Sequence, residues 1–296
     1  MRDDAIAPVI AAMLLLAVLA TAYAAWNTYY IPSLKAQSDF SHITGVEQGM
    51  IKFSSDIETA VSLKRNMRLS ELVPLGGGEI LFDGTKSGGT LTIRNDTRAY
   101  LLTGITNGTL PIVTTSRLRI ANYSYQPVEN FWRDQGYEWN YGVMNVSRGR
   151  LTTPLQVTCV SAADYGLAGV LTGMTIDSTC SRMDLYLVNI TPDPGHTRAT
   201  GSGNGMLVLE SRETNLQVPN VTKVNFSINH NMPPGFQQTL FTAMSRETDT
   251  LACSNIRVTY HRDPGAGLNG EMGMEFDAIP NMTINRRINE ITLGAY

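Results

Sequence analysis

Residues 5–26 read AIAPVIAAMLLLAVLATAYAAW, and what this run does decides how the rest of the chain is understood. No charged residue falls between Asp4 and Lys35. A helix needs about 20 apolar residues to cross the hydrocarbon of a bilayer, and this run supplies them. No later stretch of the 296 residues does so. Two readings follow from the residues alone. A secretory signal has an apolar core of about 7–15 residues and then a small-residue cleavage site. This run is longer, and Ala20 and Ala22 before Tyr23 make only a loose site. The other reading is an anchor that stays in the membrane.

Working outward, Trp26, Tyr29 and Tyr30 fit an aromatic belt at the outer interface. Pro32 removes one helical hydrogen bond and is expected to kink or interrupt the helix just outside the bilayer. The helix then resumes. Phe40, Ile43, Val46, Met50, Phe53, Ile57, Ala60 and Val61 recur at spacings of three and four, the mark of one apolar helical face. Gly45 and Gly49 weaken it by about 1 kcal/mol each relative to Ala, and they permit close approach of another element. The helix is expected to run to about Asn66, with Lys64, Arg65 and Arg68 at its negative end. This gives a segment 5–68 for the helix, followed by a head of residues 69–296.

From there the pattern changes to strands, expected near 79–82, 89–94, 100–106, 115–123, 137–145, 150–153, 156–161, 169–177, 181–190, 205–211, 220–228, 256–260 and 281–293. These runs are rich in β-branched and aromatic residues and are punctuated by Gly, Pro and Asn. Gly76–Gly78 and Gly88–Gly89 read as turns. A helical insertion is expected over 232–244, starting at Pro233 or Pro234. Residues 191–205 read as a mobile loop or a joint between two subdomains. The fold class is α+β: a long N-terminal apolar, then amphipathic, helix followed by a large all-β, sandwich-like head.

Composition narrows the function classes. Net charge is −3, with no basic stripe, which argues against nucleic acid as a partner. The acceptor pattern Asn-x-Ser/Thr occurs at Asn95, Asn107, Asn122, Asn145, Asn189, Asn220, Asn225 and Asn281. All eight follow the apolar segment, which suits an exported, N-glycosylated ectodomain. The alternative is that Asn and Thr are simply common in β-rich turns. Three cysteines are too few for a disulfide scaffold. Cys159 and Cys180 lie in one local segment and form the favoured pair, with three buried free thiols as the alternative.

The start of the chain also carries a resemblance. After Met1, Arg2, Asp3 and Asp4 come Ala5, Ile6, Ala7, Pro8, Val9, Ile10 and Ala11, then the apolar run. This resembles the N-terminus of archaeal type IV pilin-like surface proteins, with their class III signal peptides. Ala7 stands where that family often has Ser, and Ala11 where it often has Gly. Residues 73–93 and 116–149 are loosely similar to the head of such proteins, and the C-terminal half matches no family pattern. The resemblance implies that a prepilin peptidase cuts between Asp4 and Ala5. Residues 1–4 are then a leader, and the helix stays on the mature chain. It implies further that an assembly machinery, with an ATPase and a polytopic platform protein, packs identical subunits through their helices.

No chemistry stands out beside this. The four histidines are scattered, and neither His-Glu-x-x-His nor Cys-x-x-Cys occurs. His261-Arg262-Asp263 lacks the remainder of a kinase signature. Tyr137, Trp139 and Tyr141 share one strand face by alternation, which reads as core before it reads as a glycan platform. The expectation is a non-enzymatic structural subunit with no cofactor or metal. It is anchored in the membrane before assembly and displayed at the cell surface in a filament. The alternative is a membrane-anchored surface binding or adhesive protein that does not polymerise; a minor pilin lies between the two.

Overall fold

The computed structural model describes residues 6–76, 87–107, 110–128, 134–155, 162–249, 253, 256–262, 272–277 and 282–296. Helix α1 spans Ile6–Ala25 and α2 spans Ile31–Leu63. Between them Trp26–Tyr30 forms one turn of π-helix, in which the Ile31 N–H donates to the Trp26 carbonyl. The expected break at Pro32 is therefore absorbed as a widened turn. Proline lacks an N–H and crowds the carbonyl four residues back, and an i→i+5 turn ahead of it relieves that crowding without ending the helix. From Ile6 to Leu63 the rod is roughly 87 Å long at about 1.5 Å per residue.

Helix α2 ends at Leu63, three residues before the expected Asn66. Lys64 adopts the left-handed conformation (φ 48°) and its N–H donates to the Ala60 carbonyl, closing the last turn. Strand β1 (Met67–Pro74) then turns back along α2. It occupies the first residues that the sequence pattern gave to helix and loop. The two glycines of α2 explain how β1 comes so close. A Cβ on Gly49 would stand 3.0 Å from the Leu72 carbonyl oxygen, and one on Gly45 would stand 3.1 Å from Pro74.

Two sheets complete the head. The smaller has strand order β11-β2-β5-β6-β7-β8, made of β2 (Gly88–Asn95), β5 (Ala121–Val128), β6 (Gln135–Asn140), β7 (Val143–Arg148), β8 (Leu151–Pro154) and β11 (Arg198–Gly201). The larger runs β13-β14-β12-β15-β10-β9, with β1 and β3 also pairing to β12, and β4 to β3. Its strands are β3 (Leu101–Asn107), β4 (Leu110–Leu118), β9 (Thr172–Ile176), β10 (Arg182–Pro192), β12 (Asn204–Ile228), β13 (Arg257–Arg262), β14 (Met272–Asp277) and β15 (Met282–Ala295). Among the described strands only β10 and β15 pair in parallel. Helix α3 (Pro234–Asp249) starts at one of the two expected prolines and runs five residues past the expected end.

Several strands differ from the sequence pattern for identifiable reasons. The run 137–145 is a hairpin, because Tyr141 (φ 52°) and Gly142 (φ 88°) supply the two left-handed residues of a tight turn between β6 and β7. The run 115–123 is split by Arg119–Ile120 into β4 and β5, which lie in different sheets. Conversely, 205–211 and 220–228 are one strand, β12, bent by a bulge between Val218 and Val221. Strands β11 and β14 were not foreseen. Gly88–Gly89 starts strand β2 instead of making a turn; a Cβ on Gly89 would collide with the Tyr125 ring at 2.3 Å. Residues 191–205 are hydrogen-bonded structure, not a loose loop. They carry the chain from β10 in the larger sheet to β11 in the smaller and back to β12. Buried side chains of both sheets and of α2 form one hydrophobic cluster. The expected strands at 79–82 and 156–161 lie outside the described residues.

Candidate functional site

The surface that sets this molecule apart is the first half of its long helix. Every residue from Val9 to Tyr30 is exposed. Val9, Ile10, Met13, Leu14, Leu15, Leu16, Val18 and Leu19 each leave at least half of their surface open. Fully burying an aliphatic side chain of this size contributes about 1.5–3 kcal/mol, so these eight, open over half to two-thirds of their surface, together forgo roughly 6–16 kcal/mol when left in water. Among the described residues this is the one helix long and apolar enough to cross a membrane. Such a helix is compatible with anchoring or with secretion. Two of its polar side chains bond back to the helix: Thr21 Oγ1 donates to the Val18 carbonyl (2.9 Å), and Asn27 Nδ2 to the Tyr23 carbonyl (3.2 Å). The helix therefore presents an almost uninterrupted apolar cylinder. Trp26 and Tyr30 pack ring on ring (4.3 Å) at the end of it nearer the head, beside the exposed Tyr29. Ala5 and the residues before it lie outside the described residues. From Ile6 to Ala11 the motif is helical throughout, with Pro8 in the first turn, where a missing N–H has no intrahelical partner.

The second half of the helix is held by the head. Ile43, Val46, Met50, Phe53, Ile57, Ala60 and Val61 are buried, as the spacing predicts, whereas Phe40, at the start of the stripe, is 57% exposed. Phe53 meets Tyr123 edge-on (5.1 Å), and Tyr123 stacks on Trp139 (5.3 Å). The Tyr123 hydroxyl donates to the Met50 carbonyl (2.9 Å). A chain of hydrogen bonds runs from Arg148 Nε through Gln135 and Tyr137 to Glu47 on α2. Burial raises the pKa of both phenols, so they remain donors throughout the physiological range. At the far end Asn289 Nδ2 donates to the Ala60 carbonyl (3.1 Å). The Ser211 hydroxyl has two acceptors in reach, Asn289 Oδ1 (2.6 Å) and the Arg65 carbonyl (2.8 Å), for its one proton. Lys64 lies over the Tyr186 ring, and burial lowers its pKa, offset in part by Glu247. Tyr137 and Trp139 share the buried face of β6, whereas Tyr141 falls in the β6–β7 turn and packs on Phe236 (5.4 Å); all three are core.

The acceptor asparagines separate by environment. Asn95, Asn220 and Asn225 are exposed; Asn107, Asn122 and Asn145 are half-buried. Asn122 and Asn145 lie on the face of the smaller sheet turned away from the buried Tyr123 and Val146. Asn189 is the poorest acceptor, because Nδ2 donates to Glu290 (2.7 Å) and Oδ1 accepts from the Arg119 N–H (2.8 Å). Asn281 lies outside the described residues. The disulfide differs from the expected one. Cys180, at the β9–β10 turn, pairs with Cys253 after α3, with Cα atoms 5.9 Å apart. Proximity in sequence favoured Cys159, but the fold brings together two residues 73 apart; Cys159 lies outside the described residues.

Among the described residues no group of three or more His, Cys, Asp or Glu side chains could hold a metal ion. His42 bonds the Pro74 carbonyl, His196 bonds Asp193, and His261 lies 3.6 Å from Glu275. These are separate local contacts. A small polar hollow of about 70 Å³ lies on the smaller sheet beside Arg94, Asn122, Ser124 and Glu138. No protein-family model, no curated protein and no solved structure matches the chain.

Proposed function

We propose that the chain is a structural subunit of a type IV pilus-like filament at an archaeal cell surface, built through its N-terminal helix. One observation carries this reading: a single rod has its outer half bare and apolar and its inner half fixed in a β-rich head. Before assembly the bare half is solvated by lipid. On leaving the bilayer it must exchange lipid for other apolar surface, and a bundle of identical helices supplies that. The head, carrying N-linked glycans on its exposed asparagines, then forms the outside of the filament. A prepilin peptidase cuts between Asp4 and Ala5, and a pilus assembly machinery drives extraction. No cofactor, metal or catalysis is part of this role.

The test is site-specific photocrosslinking in the native cell. A photoreactive residue in place of Leu16 should yield a ladder of subunit multimers, whereas one at the buried Met50 should give none. Crosslinks to lipid alone would favour the second reading, a surface binding or adhesive protein that stays anchored and does not polymerise; a minor pilin lies between the two. The length of the bare half supports that reading equally: residues 6–30 rise roughly 37 Å, about the thickness of a bilayer.

A further inference from the structure

Strand β12 is 25 residues long, and its two edges are used differently. One edge is covered almost end to end, by β15 from Leu207 to Val221 and by β14 from Val224 to Ile228. The other is covered by β1 from Asn204 to Ser211 and by β3 from Val221 to Ile228. Among the described residues no strand pairs with that second edge over residues 212–220. A stretch of unpaired N–H and C=O groups in mid-sheet is a template for another chain's strand.

The sequence blunts this opening at both ends. The Glu213 N–H is taken by Asn66 Oδ1 (2.8 Å). Pro219 has no N–H to offer. A bulge between Val218 and Val221 breaks the register, and Asn220 within it is left-handed (φ 55°) and exposed. Between these ends Asn215 and Gln217 turn their N–H and C=O groups to the open edge, while Thr214, Leu216 and Val218 bond β15; Leu216 is still 40% exposed. Asn220-Val221-Thr222 is an acceptor pattern at the edge of this opening.

We propose that Asn220 carries an N-linked glycan that closes the open edge of β12 against pairing with a neighbouring chain. The proposal rests on the reading of the head as a glycosylated ectodomain. It adds a job for one sugar: a bulky, hydrated group at the bulge keeps heads from joining sheet to sheet, so that subunits meet only through their helices.

The experiment uses the full-length chain from its native cells, in detergent, with glycopeptide mass spectrometry and amide hydrogen exchange. Asn220 should be modified, and the amides of Asn215 and Gln217, which face the open edge, should exchange faster than those of Thr214 and Leu216, which bond β15. Asn220→Asp, which keeps a residue tolerant of the left-handed conformation, should associate at least tenfold more tightly than wild type, with the amides of Asn215 and Gln217 newly protected. Thr222→Ala should do the same with Asn220 in place. Adding Leu216→Lys, a charge on the edge, should reverse both. An unmodified Asn220 beside glycans on other asparagines would overturn the proposal alone. A chain with no glycan at all would remove the ectodomain reading with it. Unchanged association of both variants, despite a glycan on wild-type Asn220, would also overturn it.

Discussion

The two halves of the N-terminal rod are one continuous helix with opposite fates. Residues 9–30 are exposed on every side, whereas 11 residues between Asp39 and Val61 are buried against the head. The outer half is apolar all round, so no single partner face is defined, and any apolar surround, lipid or like helices, satisfies it. The inner half has one apolar stripe plus Gly45 and Gly49, and it fits a single complement, the seam of β1 and the aromatic cluster around Tyr123. A helix can thus be stable over roughly 87 Å while drawing its tertiary stabilisation from its own chain over less than half that length.

The sharpest way to break this contrast is to remove one large side chain from each half. Phe53→Ala should cost the head about 3–5 kcal/mol in chemical denaturation, through a cavity beside Tyr123. Leu16→Ala should leave the same transition unmoved. Equal losses would mean that the outer half also packs on the head. A second contrast adds volume. Gly49→Val should cost about 1–3 kcal/mol, because its Cβ would meet the Leu72 carbonyl at 3.0 Å. Ala17→Val in the bare half should not change the head's melting temperature.

At the last turn of α2, Asn289→Ala should cost about 1–2 kcal/mol, since it removes the donor to the Ala60 carbonyl and the acceptor of Ser211. Denaturant titration reads this directly, and no loss would show that the helix end is held by the left-handed Lys64 turn alone. The smallest effect concerns Asp177, remote from either half. Its carboxylate accepts from Thr179, Ser181 and the Arg182 N–H, and these bonds lower its pKa to about 2. The folded pKa lies below the ordinary 3.8, so the contribution is present above about 4 and lost as pH falls toward 2. Asp177→Ala should lower the melting temperature slightly at pH 6, with the gap to wild type narrowing as pH falls toward 2.

Much of the rod was legible in the sequence because helical periodicity is local. The spacing of Ile43, Val46, Met50, Phe53 and Ile57 named the buried stripe. The glycines marked a close approach, though not what approached. Phe40 matches the same period and lies exposed, since periodicity cannot say where the head begins. The head was less legible because its decisive contacts are distant in sequence. Strand β1 has a weakly patterned sequence, MRLSELVP, and becomes a strand by pairing with residues 204–211. The run 212–217, polar apart from Leu216, hides the continuity of β12, because that part of the strand is exposed. Cys253 approaches Cys180 only once α3 and the larger sheet are in place. Of the candidate functional surface, the apolar run was evident from composition. The ranking of the acceptor asparagines was not, since Asn189 is set apart by Arg119 and Glu290, residues far away in the chain.

The most direct measurement is N-terminal mass spectrometry of the protein recovered from the surface of its native cells. The account predicts a mature chain that begins at Ala5 and keeps the whole apolar helix. A chain beginning near Tyr23 would contradict it, because the bare half of the rod would then be absent from the working protein.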